Sequence, residues 1–441
     1  MQKVHAQGVP SLDQVPGSRD RVLDLTKSFA LAVVVAGHAL GWDVSTGTPM
    51  SILDLRPQLR WITWVLQILP LFFAAGAVSN LASWRRHPDS GTFWRRRLAR
   101  LATPAVLYAS VWTLLLLPLA VGVPQVEDVG RYLAQLLWFL GTYAAVVIAV
   151  PVTSRWARSP ALTLALWGAA IVGVDVLRWA VDPTLGWLNM LLVWGWVHQL
   201  GYALPRLRTV RPALLVLGGA SALAVAVALA VQGPYSTSMV SIAGDTGMSN
   251  LSPPSTVLAV YGLAQVLVLA ALWPALDRLM AWRPAWLVVA GFGSRAIDVY
   301  LWHIPIVGVA ILLASLLRLD PAPLGPAWWA LHLVVVVTVL PLAWALAGPV
   351  GRLSRRLGAL AGSRPSTGSG ALLPAVLVSA SVLAVSQTGF ATWWGPGLVG
   401  VPMSSLPLLL LLVLAWLAIS RPGGPPATPG ASPRRATAPR H

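Results

Sequence analysis

Lys27 and His38 are the side chains in this sequence best placed to do chemistry. Both sit in the apolar run RVLDLTKSFALAVVVAGHALGW, residues 21–42, which also carries Asp24. An ionisable group inside a membrane-length apolar helix is costly and marks function by default. Lys27 and His38 are eleven positions apart. At about 100° per residue that is within roughly 20° of three full turns, so they share a helix face about 16 Å apart. A cation at one end of that face and an imidazole deeper in it make a buried polar track. Histidine titrates near neutrality and is the usual general base toward a hydroxyl. The plainer reading is a snorkelling lysine and a histidine satisfied by its neighbours.

A second group is Arg95-Arg96-Arg97-Leu98-Ala99-Arg100. Arg97 and Arg100 are three apart and share a helix face. Guanidinium matches phosphate bidentately, so this pair, running into an apolar segment before Pro104, is suited to a polyphosphate. Arg95 and Arg96 read as topology determinants that meet lipid headgroups. Other chemistries lack support. With no Cys there is no thiolate or disulfide. No G-x-S-x-G elbow is present, and neither H-E-x-x-H nor a carboxylate cluster points to a metal.

A third group is Gly293-Ser294-Arg295-Ala296-Ile297-Asp298-Val299-Tyr300-Leu301-Trp302-His303-Ile304-Pro305. Ser294 is expected to cap a helix here. Arg295 and Asp298 are spaced to pair. His303 falls at membrane depth, as a structural histidine or a substrate contact. Trp138, Phe139 and Tyr143 read as an interfacial aromatic belt. Trp194, Trp196 and His198 carry the same ambiguity.

The elements that position these groups follow from composition. Of 441 residues, 56% are hydrophobic and 10% charged, whereas soluble domains carry about a quarter charged. The expected fold is all-α, a polytopic transmembrane helix bundle. Runs of about twenty apolar residues suit a hydrocarbon core of about 30 Å. About twelve occur, near 23–42, 61–82, 101–122, 133–153, 160–180, 186–204, 213–232, 255–276, 294–317, 327–350, 371–388 and 404–420. Basic residues cluster in alternate loops. Asp43, Asp54, Glu127, Asp128, Asp182, Asp245 and Asp320 mark the others. The positive-inside rule then puts both termini in the cytoplasm. The net charge of +17 forms no continuous stripe, so nucleic acid is not an expected partner. Two loops stand out: the basic stretch 84–100, and residues 233–255, a Gly-, Pro- and Ser-rich outer loop without a helix and a candidate lid. The expected organisation is a cytoplasmic tail (1–20), a membrane domain (21–356), two further helices (357–420) and a disordered basic tail (421–441) that can lie against anionic headgroups.

Together these motifs resemble the acyltransferase type 3 family of integral membrane acyltransferases. Lys27 to His38 matches its Arg- or Lys-x10-His motif. Pro70-Leu71-Phe72-Phe73-Ala74-Ala75-Gly76 matches its Pro-x-Phe-Phe segment, and Arg97, Arg100 and Pro104 its Arg-x-x-Arg segment. Trp138 to Tyr143, Gly195 to Tyr202 and Tyr300 to Pro305 follow in the family's order. The resemblance implies a ten-helix core, here with two added C-terminal helices. It implies O-acyl transfer, of an acetyl or other short acyl group, from cytoplasmic acyl-coenzyme A as co-substrate, with no permanently bound cofactor. The acceptor would be a hydroxyl of a cell-surface or lipid-linked glycan or of a small molecule. Arg97 and Arg100 would hold the donor, and Lys27 and His38 would be catalytic. Asp24, Trp138, Tyr143, Ser294, Tyr300 and His303 are candidate pocket positions. The setting would be a bacterial-type plasma (inner) membrane. Two rivals stand beside this reading. A polyprenyl-phosphate-dependent glycosyltransferase would use Asp43 and Asp54. A proton-coupled transporter would use Lys27, His38 and His303, but there is no internal repeat and no paired Gly/Pro-broken helices.

Overall fold

The computed structural model describes residues 20–44, 50–86, 88–242, 245–319, 321–362, 370–396 and 401–420. The tails expected at 1–20 and 421–441 fall outside these residues apart from Asp20, as does Asp320.

Helix α1 (Arg21–Leu40) begins at Asp20, whose side chain accepts from the backbone N–H groups of Val22 and Leu23. The chain then passes through a two-stranded ladder, β1 (Trp42–Asp43) with β2 (Met50–Ser51). It continues into α2 (Ile52–Leu55), a 3-10 turn (Pro57–Trp61) and α3 (Ile62–Leu66). Next come α4 (Leu69–Arg86), α5 (Ser90–Leu119), α6 (Gln125–Ala134), α7 (Leu137–Trp156) and α8 (Pro160–Ala180). A 3-10 turn (Pro183–Leu188) leads to α9 (Asn189–Leu207) and α10 (Pro212–Gln232). Beyond a long connection lie α11 (Thr256–Ala281), α12 (Arg283–Gly293), α13 (Ala296–Leu316) and α14 (Pro326–Gly362). The C-terminal hairpin is α15 (Leu372–Thr388), the ladder β3 (Gly395–Pro396) with β4 (Pro402–Met403), and α16 (Ser405–Ser420).

This is an all-α polytopic bundle. Among the described residues, nine helical spans are long and apolar enough to cross a membrane. The other expected segments fall on α9, α15 and α16, of 19, 17 and 16 residues.

Several expectations need correction. The basic stretch 84–100 is mostly helix and not a long loop: α4 runs to Arg86 and α5 starts at Ser90. Arginine is a good helix former, and the Asp89 side chain caps α5 by accepting from Thr92 N at 2.6 Å. Hydrogen bonding from Thr92 holds the Asp89 carboxyl below its ordinary range. Ser294 is not the cap of α13. Its hydroxyl donates to Gly291 O at 2.7 Å, at the end of α12, and the residue preceding α13 is Arg295, which makes no side-chain cap bond. Arg295 does not pair with Asp298. It lies 4.0 Å over the Trp344 ring and donates to Trp344 O at 3.0 Å. The cation beside Asp298 is Arg355, since a Cβ at Gly351 would meet Asp298 Oδ2 at 2.8 Å and Arg355 Nη1 at 3.4 Å.

Two spans are broken, at Gln67–Ile68 and at Gln135–Leu136, with neither Gly nor Pro at the break. Backbone groups freed inside a membrane must be satisfied by protein. Gln265 Nε2 donates to Gln67 O at 2.7 Å, and Tyr300 Oη donates to Leu136 O at 2.7 Å.

The described residues of the connection, 233–242 and 245–255, are held in place without a helix. Asn250 Nδ2 donates to Ser236 O at 2.7 Å and Ser238 O at 2.8 Å. Side chains before the first break grip it: Trp64 Nε1 donates to Thr237 O at 2.9 Å, Gln67 Nε2 to Met239 O at 2.8 Å, and Thr63 Oγ1 accepts from Met239 N at 2.8 Å. Arg60 pairs with Asp245 at 3.2 Å. Asp175 of α8 accepts from Tyr235 Oη at 3.1 Å and Thr256 N at 2.7 Å. Burial, with the Asp175 charge second, pushes the Tyr235 phenol up to about 12.

Candidate active site

The cationic end of the site is built on α4. Lys27 Nζ donates to Ser79 Oγ at 2.7 Å, and Arg97 Nη2 donates to Ser79 O at 2.5 Å. One residue of α4 thus gathers a lysine from α1 and an arginine from α5. The next residue, Asn80, is fully buried. Its Nδ2 donates to the Tyr143 hydroxyl oxygen at 3.2 Å and to His198 Nε2 at 3.2 Å. Because the Tyr143 oxygen accepts from Asn80, its own proton remains to be donated. Tyr143 and Arg97 lie within electrostatic reach of each other, and Arg100 and Arg86 flank Arg97. Lys27, Arg97 and the Tyr143 hydroxyl therefore converge as donors, which is the composition of an anion site. Arg97 is half-buried and Arg100 is exposed. Gly76 makes room: a Cβ there would sit 2.6 Å from the Tyr143 oxygen.

The histidine end lies between α1 and α13. His303 Nε2 is 3.3 Å from His38 Nδ1. His303 Nδ1 is 2.7 Å from Tyr300 O, and His38 Nδ1 is 2.9 Å from Val34 O. Carbonyl oxygens only accept, so the network assigns a hydrogen to both Nδ1 atoms. In neutral rings each Nε2 then carries a lone pair. His303 Nε2 accepts from His38 Nδ1–H, and His303 has committed both nitrogens. His38 Nε2 is left to accept a proton from something else. His303 is fully buried while His38 is half-buried.

An aromatic file joins the two ends. Tyr143 stacks on Phe139 at 6.2 Å, Phe139 meets Tyr300 at 5.1 Å, and Tyr300 meets His303 at 6.1 Å between ring centroids. Phe72 packs edge-on against both Phe139 and Tyr143, at 5.2 Å and 5.8 Å. Three sequence motifs meet here, from α4, α7 and α13. The expected interfacial belt is therefore an interior cluster: Trp138 packs 5.9 Å from fully buried Trp194, which stacks on Phe73 at 4.5 Å.

The family comparison bears on this arrangement. The acyltransferase domain model of the acyltransferase 3 family matches residues 20–348, well over half of the chain. The chain belongs to the acyltransferase 3 family. No curated protein and no solved structure is matched. As a membrane acyltransferase it must bring an acyl donor and an acceptor together.

Other charged places fit this acyltransferase less well. A hollow of about 320 Å³ is lined by Asp20, Arg21, Arg208, Trp273, Asp277 and Ala281. Its walls carry both signs of charge, and Arg208 already lies 4.0 Å over Trp273 and 3.5 Å from Asp20. Asp43 is buried and accepts from Trp328 Nε1 at 2.7 Å. Asp24 lies one turn before Lys27 in the first turn of α1. Ser294 is exposed at its turn.

Sequence reasoning missed Ser79 and Asn80. A Ser-Asn pair in an otherwise small-residue helix was the available signal, because buried amides are rare and must find partners.

Proposed function

We propose that this acyltransferase moves an acetyl or other short acyl group from cytoplasmic acyl-coenzyme A to a hydroxyl acceptor. The acceptor would be a cell-surface or lipid-linked glycan, or a small molecule. The observation that carries the reading is the convergence of Lys27 and Arg97 on Ser79, joined by the aromatic file to an imidazole with an uncommitted Nε2.

In this reading Arg97, Lys27 and the Tyr143 hydroxyl hold the donor phosphates, with Arg100 at the mouth. The apolar walls of Phe72 and Phe139 flank the pantetheine arm. His38 Nε2 takes the proton of the acceptor hydroxyl as its oxygen attacks the thioester carbonyl. The tetrahedral intermediate collapses by breaking the C–S bond, and the imidazolium returns its proton to the departing thiolate. His303 holds His38 in the tautomer that this step needs, as the orienting partner does for a histidine base elsewhere.

The test uses purified protein in nanodiscs with radiolabelled acetyl-coenzyme A. Arg97→Ala should raise the donor KM about ten- to hundred-fold, as expected for a lost charge-assisted contact of about 1.5–3 kcal/mol. Arg100→Ala should do less and fade with added salt, because that side chain is solvated. Wild-type protein that binds no acyl-coenzyme A would overturn the donor assignment.

A further inference from the structure

The family match ends at residue 348, yet the helices beyond it touch the arginine helix. Arg95 Nη1 donates to Ala418 O at 3.0 Å, in the last turn of α16. Trp416 Nε1 donates to Thr103 Oγ1 at 2.8 Å, and Thr103 Oγ1 donates to Ala99 O at 2.8 Å. The two attachment points bracket Arg97 and Arg100 on α5.

Pro104 follows directly. Proline supplies no N–H, so the Arg100 carbonyl loses its helical partner, and the ring crowds the preceding turn. Helix α5 runs unbroken from Ser90 to Leu119, but Pro104 leaves it one hydrogen bond short where its arginine turns meet its apolar length. On one side of the arginine turns, Trp94 Nε1 fixes them to Ile148 O of α7 at 3.1 Å. On the other side α16 binds both before and after the arginines. The C-terminal hairpin is itself anchored. Ser379 Oγ of α15 donates to Gly141 O of α7 at 2.8 Å, and Trp393 Nε1 donates to Leu117 O at the far end of α5 at 3.1 Å.

We infer that α16 is a splint along the arginine turns of α5, up to Pro104: through Trp416–Thr103 and Arg95–Ala418 it holds those turns, and with them Arg97, in place beside Ser79. Trp416 and Thr103 are then positioning residues for the acyl donor, acting through Arg97. The inference rests on the donor-site reading proposed above.

Trp416→Phe keeps an aromatic ring and removes the N–H. Binding of labelled coenzyme A to the full-length variant in nanodiscs should weaken about two- to ten-fold, the range for one lost hydrogen bond. Turnover at saturating donor and the melting temperature should stay near wild type. Thr103→Val should match Trp416→Phe, the double variant should be no worse than either alone, and Thr103→Ser should restore wild-type binding. Unchanged affinity in Trp416→Phe, with the wild type binding normally, overturns the splint alone. A wild type that binds no coenzyme A overturns the donor reading and the splint with it. A parallel fall in melting temperature, affinity and turnover, without rescue by Thr103→Ser, makes the contact a general support of the fold and also overturns it. If Trp416→Phe does not accumulate, Thr103→Val and Thr103→Ser read the same bond.

Discussion

The histidine pair makes a sharp prediction, because the reading proposed above gives its two members different jobs. His303 Nδ1 is tied to Tyr300 O at 2.7 Å and its Nε2 faces His38 at 3.3 Å, so neither nitrogen is available to substrate. His38 keeps Nε2. Replacing His38 with Gln removes the base, and losing a general base typically costs about 10²–10⁴-fold in rate. Replacing His303 with Gln leaves an amide oxygen that can still accept from His38 Nδ1–H. At worst it removes one neutral hydrogen bond, while Val34 O at 2.9 Å still holds the His38 ring. A neutral bond contributes about 0.5–1.5 kcal/mol, so His303→Gln should slow turnover about two- to twelve-fold. His303→Phe, with no acceptor, should fall between the two Gln variants. The assay is single-turnover acyl transfer in nanodiscs at saturating donor, with coenzyme A affinity measured alongside to show that the donor site is intact. If a well-folded His303→Gln is as slow as His38→Gln, the assignment of the base is wrong and the tautomer argument fails with it.

Two further predictions follow from other contacts. Gly76→Ala places a methyl 2.6 Å from the Tyr143 oxygen, so it should weaken donor binding. Adding Tyr143→Phe removes that oxygen but leaves ring carbon Cε2 at 2.9 Å, so it should recover only part of the lost stability and none of the donor contact; melting temperature and coenzyme A affinity separate the two. For topology, the chain has no native cysteine, and Ser241 and Arg96 are both exposed. Ser241→Cys should react with an impermeant thiol reagent on intact cells and Arg96→Cys should not. Reaction at position 96 in sealed cells would reverse the orientation and take the donor site out of the cytoplasm.

The all-α bundle was legible because a lipid solvent demands runs of about twenty apolar residues; among the described residues nine of the expected twelve runs fall on spans long and apolar enough to cross a membrane. The helical nature of 84–100 was hidden because charge density reads as loop, although arginine propensity and the Asp89 cap favour helix. The break at Gln67 had a signal in Pro70, which lies in the first turn of α4 and cannot donate back to Leu66 O; the break at Gln135 escaped because Gly and Pro are the usual punctuation. A glutamine in an apolar run was the remaining clue. Within the candidate site, Lys27, His38 and Arg97 could be put forward from type and spacing alone. Their meeting at Ser79, and the pairing of His38 with His303, could not. Those are convergences between helices far apart in sequence, and no local period encodes them. With 23 tryptophans in the chain, the aromatic file could not be told from an interfacial belt until its partners were known.

The connection 233–255 has a statistical consequence for traffic through the far end of the molecule. Thr63, Trp64 and Gln67 bond to its backbone, and Arg60 pairs with Asp245. Separating it from residues 60–67 breaks at least these four contacts. At about 1 kcal/mol each, the detached state is populated roughly once in a thousand. Leu66 at the end of α3 lies against Gly37, one residue from His38. Connection and α3 are therefore joined almost all of the time, and in the reading proposed above an acceptor coming from that side enters only when they part. In that reading the acceptor's apparent affinity is reduced by the small fraction of time this entrance is open, and capture still rises with its concentration.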